Sequence, residues 1–228
     1  MRLACLFSGG KDSTYAIYDS INQGHEIKCL LTLIPPSSES FLFHYPNVKL
    51  TPLVADAMRI PHLMFVVNGV DMDTELEALE VLLRRAKIEY GIEGIVHGGI
   101  SSKFQKSRFS SSCSRCDLHV ISPVWRRPAV RYMRDLISNG FKVLITSVSA
   151  MGLDKCWLGK TIDEDVLEQL MRISERNGFN LNFEGGEAET IVLDSPLHKD
   201  KLDIVRSKVR WDGQRGMFEI LEVALVSK

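Results

Sequence analysis

The chain has 228 residues, 45% of them hydrophobic and 25% charged, with a formal net charge of −1. That balance supplies a sizeable core and excludes a global field that would recruit nucleic acid or an acidic membrane. No apolar run approaches the roughly 18 residues of a spanning helix, and five scattered cysteines, an odd number, argue against a disulfide framework.

Leu3 to Phe7 is a short apolar run, predicted as a buried parallel strand. It starts at once, with no basic segment and apolar signal region before it, so the chain reads as cytoplasmic. A helix is predicted from about Ser13 to Asn22, stopped near Gly24. Ile27 to Leu33 is the second strand, ended by Pro35-Pro36. Thr51-Pro52 opens a helix reaching about Met58. His62 to Val67 is the third strand. Thr74-Glu75-Leu76-Glu77 resembles a capping box, followed by Leu76, Leu79, Leu83 and Ala86 at helical spacing. Gly94 to His97 is a fourth strand, and Ser102 to Cys113 and Pro128 to Ser138 are helices. Lys142 to Ser149 is a β run, Thr161-Ile162-Asp163-Glu164 caps a helix ending at Gly178, and Ile191 to Leu193 is a strand. Leu202 to Trp211 and Met217 to Val226 flank Asp212-Gly213-Gln214-Arg215-Gly216 and read as an antiparallel hairpin. Strands alternating with helices imply a parallel, doubly wound sheet.

Between the first strand and the first helix stands Ser8-Gly9-Gly10-Lys11-Asp12-Ser13. Helix N–H groups and the helix dipole favour an anion there, and glycines let the backbone approach it. The stretch lacks the spacing of G-x-x-x-x-G-K-[ST] and of the dinucleotide fingerprint. It resembles the PP-loop of the ATP pyrophosphatases, which split ATP into AMP and pyrophosphate. The resemblance implies ATP contacts by Leu6, Phe7, Ser8, Gly9, Gly10, Lys11, Asp12, Ser13, Thr32 and Gly98. Lys11, expected in an exposed loop, would neutralise the leaving pyrophosphate together with Mg²⁺. Asp12 would hold the metal or orient the loop, or else serve only as a carboxylate at a helix amino end.

Phe183-Glu184-Gly185-Gly186-Glu187-Ala188-Glu189-Thr190 crowds three carboxylates around a Gly-Gly turn. Such carboxylates repel one another, which suits binding a cation, an amine or ammonium; a solvated acidic turn is the bland alternative. The stretch is similar to the signature of the diphthine–ammonia ligases. Phe43-His44-Tyr45-Pro46-Asn47, Gly152-Leu153-Asp154 through Trp157-Leu158-Gly159, Ser122-Pro123-Val124-Trp125, and Gln105 with Arg108 resemble further segments of that family, in the same order. The chain departs from the pattern at Phe183, where glycine is usual, at Ala188, where an aromatic is usual, and at Lys103 and Ser110, where acidic residues are usual.

The fold implied is a three-layer parallel α/β domain, adenine nucleotide hydrolase-like. It spans 1–120 as an ATP-binding domain, with 121–228 as a smaller substrate-binding α+β part ending in the hairpin. The activity implied is ATP-dependent amidation of diphthine on translation elongation factor 2 through an acyl adenylate, with free ammonium as nitrogen source. Phe43, His44, Gln105, Arg108, Asp154, Trp157, Glu184, Gly185, Gly186, Glu187, Glu189 and Thr190 would line the substrate site. Lys11, Asp12, Glu187 and Glu189 would carry the chemistry, the two glutamates by taking the ammonium proton. Trp157 either stacks on a ligand or fills core. Cys113-Ser114-Arg115-Cys116 has the spacing of a redox pair but no partner pair for zinc, and reads as coincidence. A homo-oligomer is left open. A tRNA-modifying PP-loop enzyme, of thiolation or lysidine type, and a non-catalytic nucleotide-binding module are the alternatives; the charge of −1 gives an RNA substrate little support.

Overall fold

The computed structural model describes residues 1–35, 48–69, 71–100 and 103–228; Phe43, His44 and the side chain of Gln105 lie outside the described residues. The chain forms two compact units, Met1–Arg126 and Arg127–Lys228.

In the first unit the described elements are β1 (Arg2–Leu6), α1 (Lys11–Asn22), β2 (Glu26–Ile34), α2 (Thr51–Met58), β3 (His62–Val66), α3 (Met72–Tyr90), β4 (Gly94–Val96), α4 (Lys103–Arg115) and β5 (His119–Ile121). The strands form one all-parallel sheet in the order β3-β2-β1-β4-β5. β1 is apolar on both faces because both are covered. Ala4 and Leu6, with Cys29, Leu31 and Leu33 of β2, share one core with Leu79, Leu82 and Leu83 of α3 and Phe109 and Cys113 of α4. Alternation turns Leu3 and Cys5 to the other face, where the Cys5 thiol meets the Ser13 carbonyl of α1 at 3.7 Å. This is the predicted doubly wound α/β class.

Local details differ from the sequence reading. α1 begins at Lys11, two residues early, so Lys11 is helical. α3 is capped by Asp71, whose carboxylate accepts from Thr74 N at 2.9 Å, and Thr74 is not the cap. α6 (Glu164–Asn177) is capped by Asp163 accepting from Val166 N at 2.8 Å, while Thr161 bridges to Leu144. Both stretches hold two overlapping capping patterns, and aspartate wins in each because its carboxylate is a charged acceptor at the positive helix end. β5 went unnoticed because three residues carry no readable period.

The second unit holds α5 (Ala129–Ser138), β6 (Lys142–Val148), α6, β7 (Ala188–Asp194), β8 (Asp200–Trp211) and β9 (Gly216–Ser227), with a sheet ordered β7-β6-β9-β8 and antiparallel pairing. The closing hairpin is the predicted one. Its turn is set by Asp212, whose carboxylate accepts from Gln214 N at 2.8 Å and Arg215 N at 2.7 Å. Among the described residues no helix is long and apolar enough to cross a membrane.

Candidate functional site

The sheet order reverses direction between β1 and β4, and open α/β sheets bind ligands at the carboxyl ends of the strands at that point. Ser8, Gly9 and Gly10 lead from β1 into α1 there. Gly9 has φ 75°, the left-handed region where a side chain is strained. Gly10 precedes the helix and offers no side-chain acceptor to it. The first-turn N–H groups of α1 have no intrahelical partner by construction, and the dipole adds positive potential. Hydroxyls brace the loop from within. Ser13 Oγ accepts from Ser8 N at 3.3 Å and donates to the Gly10 carbonyl at 3.2 Å, and Thr14 Oγ1 donates to the same carbonyl at 2.9 Å.

Lys11 corrects the exposed-loop expectation. Its side chain is 2% exposed and its Nζ donates to Asp12 Oδ2 at 2.9 Å. The early start of α1 puts Lys11 in the first turn, where the stem packs inward and the charge is paired. Asp12 remains about one-third exposed and carries the loop's carboxylate. Magnesium usually takes one or two carboxylates plus substrate phosphates and waters, so the Asp12 carboxylate beside a helix amino end fits it. Among the described residues no group of three His, Cys, Asp or Glu side chains forms a protein-only metal cage.

Residues from neighbouring strands support the loop. Phe7 N donates to the Leu31 carbonyl at 2.8 Å, and buried Thr32 donates its hydroxyl to the Phe7 carbonyl at 2.7 Å. Thr32 Oγ1 lies 2.8 Å from His62 Nε2, and burial pushes the His62 imidazole down to about 4. The imidazole is therefore neutral at pH 7, and its Nε2–H is the donor to Thr32. Gly98 follows β4, and a Cβ on it would lie 2.4 Å from the Asp12 carbonyl carbon and 2.6 Å from Ser13 N. Only glycine lets the loop after β4 rest on the amino end of α1. The structure thus gathers Leu6, Phe7, Ser8 through Ser13, Thr32 and Gly98 around one helix end. It adds His62 and His97, which the sequence reading missed because their signal was only a histidine at a strand end, and Ser122, which that reading quoted in a motif without giving it a role. Arg108 is exposed on α4, its guanidinium 5.4 Å from the Phe104 ring.

The acidic turn, in the second unit, spends part of its charge on itself. Glu187 accepts from Gly185 N at 2.7 Å and from Asn180 N at 3.0 Å. The Glu187 carbonyl accepts from Ser149 N at 2.9 Å, and Ser149 Oγ donates to the Gly186 carbonyl at 2.7 Å, which fastens the turn to the end of β6. Phe183, where the sequence pattern expects glycine, sits at φ 62°, a conformation that costs a bulky residue about 1–2 kcal/mol. Burial of its ring beside Phe179, with centroids 6.4 Å apart, offsets that strain. Glu189 is half-buried on β7 opposite Ser147, and Thr190 is buried opposite Ile145. Glu184, Gly185 and Gly186 form the turn before that strand.

Asp154 caps a short turn, accepting from Cys156 N at 2.8 Å, and Trp157 is buried, with Lys160 Nζ 4.7 Å from its ring centroid. Trp157 thus fills core, one of the two roles its sequence allowed. Cys113 and Cys116 are both buried in the α3–α4 core, and burial pushes the Cys113 thiol up to about 12. A thiol so rarely ionised makes a poor nucleophile or metal ligand. A cleft lined by Arg2, Lys87, Glu93, Asp117 and His119 opens at the amino ends of the strands, away from the loop after β1.

Residues 1–120 match the diphthamide synthase N-terminal domain and residues 128–226 the diphthamide synthase C-terminal domain. A human protein named diphthine–ammonia ligase is 34% identical over 227 residues, covering 92% of this chain and 85% of that protein. A Danio rerio protein of the same name is 33% identical over 222 residues, covering 90% and 86%. A Saccharomyces cerevisiae protein of that name is 30% identical over 244 residues, covering 90% of this chain and 35% of that longer protein. Among solved structures, a "predicted subunit of tRNA methyltransferase" from Methanocaldococcus jannaschii aligns with a TM-score of 0.41 at 16% identity, covering 86% of this chain and 98% of that one.

Proposed function

The chain belongs to the diphthamide synthase family, and from that premise we propose that it is the ATP-dependent ligase that converts diphthine on translation elongation factor 2 into diphthamide in the cytoplasm, with ammonium as nitrogen donor. The observation that carries the ATP half is the amino end of α1, without a side-chain cap and backed by Gly98 at the point where the sheet reverses.

The reaction runs in two displacements. A diphthine carboxylate oxygen attacks the α-phosphorus of ATP, and the bond to the pyrophosphate oxygen breaks. The nitrogen of ammonia then attacks the acyl carbon, and the bond to AMP breaks. The loop N–H groups and Lys11 stabilise charge developing on the leaving pyrophosphate, where preorganised donors contribute most. Asp12 would hold Mg²⁺, which adds charge neutralisation when bound. Ammonium must lose a proton before it attacks. Glu189, half-buried on β7 beside the turn that Glu187 shapes, takes it.

The deciding assay measures pyrophosphate release and amide formation with ATP, ammonium and the diphthine-bearing elongation factor, against a tRNA control. Amide formation is the expected result. Turnover with tRNA alone would move the chain to RNA modification, and ATP binding without turnover would leave a nucleotide-binding module.

A further inference from the structure

The loop after β4 rests on α1 through Gly98, and a neighbouring side chain holds that loop in place. His97 is 2% exposed at the end of β4. Its Nδ1 accepts from Gly99 N at 3.1 Å, so Nδ1 carries no proton. The neutral ring then bears its hydrogen on Nε2, which donates to Ser122 Oγ at 2.5 Å, just beyond β5. The ring packs edge-on against Phe109, with centroids 5.2 Å apart. Burial, aided by the positive charge of Lys106, pushes the imidazole down to about 4 and keeps that lone pair available at neutral pH. Two backbone bonds tie the same loops, His97 N to the Ile121 carbonyl at 3.1 Å and Arg126 N to the Ile100 carbonyl at 2.7 Å. Neither of these two bonds restrains Gly98 or Gly99. Because Gly98 has no room against the Asp12–Ser13 backbone, any shift of the 98–99 turn is passed to the first turn of α1.

We propose that His97 is a positioning residue of the nucleotide site: its Nδ1 lone pair fixes the Gly98-Gly99 turn against α1 and so sets the aim of the N–H groups that receive the phosphates. The inference rests on the ATP reading above. Two substitutions divide the histidine's functions. Asparagine puts an acceptor where Nδ1 stands and loses the donor; glutamine puts a donor where Nε2–H stands and loses the acceptor. Both remove the ring from Phe109, so both lower the thermal midpoint of the full-length chain by a similar amount. ATP affinity separates them. His97→Asn stays within about threefold of wild type, and His97→Gln weakens ATP about tenfold or more, the scale of one lost hydrogen bond. Equal ATP affinities for the two variants, or losses that simply follow the thermal midpoint, would overturn the role of His97. Absence of ATP binding by the wild-type chain would overturn the nucleotide reading and this role together.

Discussion

The loop after β1 and the turn before β7 are both glycine-containing connections, yet they dispose of their polar groups in opposite ways. In the first, serine and threonine hydroxyls satisfy the loop's own carbonyl and two N–H groups, and the helix that follows receives no side-chain cap. In the second, Glu187 turns its carboxylate back onto two backbone N–H groups of its own connection. The first connection leads into a helix end without a side-chain cap, whereas the second is closed by a carboxylate acceptor of its own. The contrast marks Glu187 as the carboxylate that shapes the turn.

The largest effect is expected at Lys11. Lys11→Ala removes the charge proposed to act on the leaving pyrophosphate, and turnover is expected to fall by about 10²–10³-fold, the usual scale for a lost transition-state donor. Pyrophosphate release and the thermal midpoint are read together; retained turnover in a folded variant removes Lys11 from the mechanism. Glu189→Gln comes next. Amide yield drops by about 10²-fold, as for a lost general base, while ATP binding stays near wild type and high ammonium restores part of the yield. Loss of ATP binding in that variant would place the acidic stretch in the nucleotide half and break the comparison.

Two alanines sharpen the same contrast through packing. A Cβ at Gly98 meets backbone at 2.4 Å, while one at Gly185 meets the movable carboxylate of Glu187 at 2.8 Å. Gly98→Ala is expected to cost about 1–3 kcal/mol as an overpacked contact and to weaken ATP. Gly185→Ala costs less, because Glu187 swings aside. Denaturant midpoints of both variants decide the order, and a larger loss at Gly185 would show that the acidic turn is the stiffer of the two.

The smallest expected effect is on acid stability. His97 in the first unit and His198 in the second are buried, and burial pushes each imidazole down to about 4. Unfolded histidine titrates near 6.5, so between those values the unfolded chain binds more protons. The stabilisation is therefore present above about pH 6.5 and is lost as pH falls toward 4, by about 1–3 kcal/mol per group. Thermal midpoints measured from pH 7 to pH 5 should fall, and less steeply in His198→Phe. An unchanged slope in that variant would mean that His198 is charged in the fold.

Much of the fold is legible residue by residue. Val, Ile and Leu runs bounded by Gly or Pro betray strands covered on both faces, because a buried strand must be apolar throughout. The hairpin is written in its alternation and its Asp-Gly turn, and the phosphate loop in a motif tied to a strand–helix junction. The order of strands, the burial of Lys11 and the hydrogen bonds of Glu187 are not written in this way. Strand order depends on which edges meet. Lys11 is buried because it stands in the first turn of α1 and not in the loop before it. Glu187 and Glu189 have the same side chain and nearly the same neighbours in sequence. Only the folded turn, which brings Asn180 N and Gly185 N to one carboxylate, tells them apart, since hydrogen bonds are set by distances that chain order does not encode.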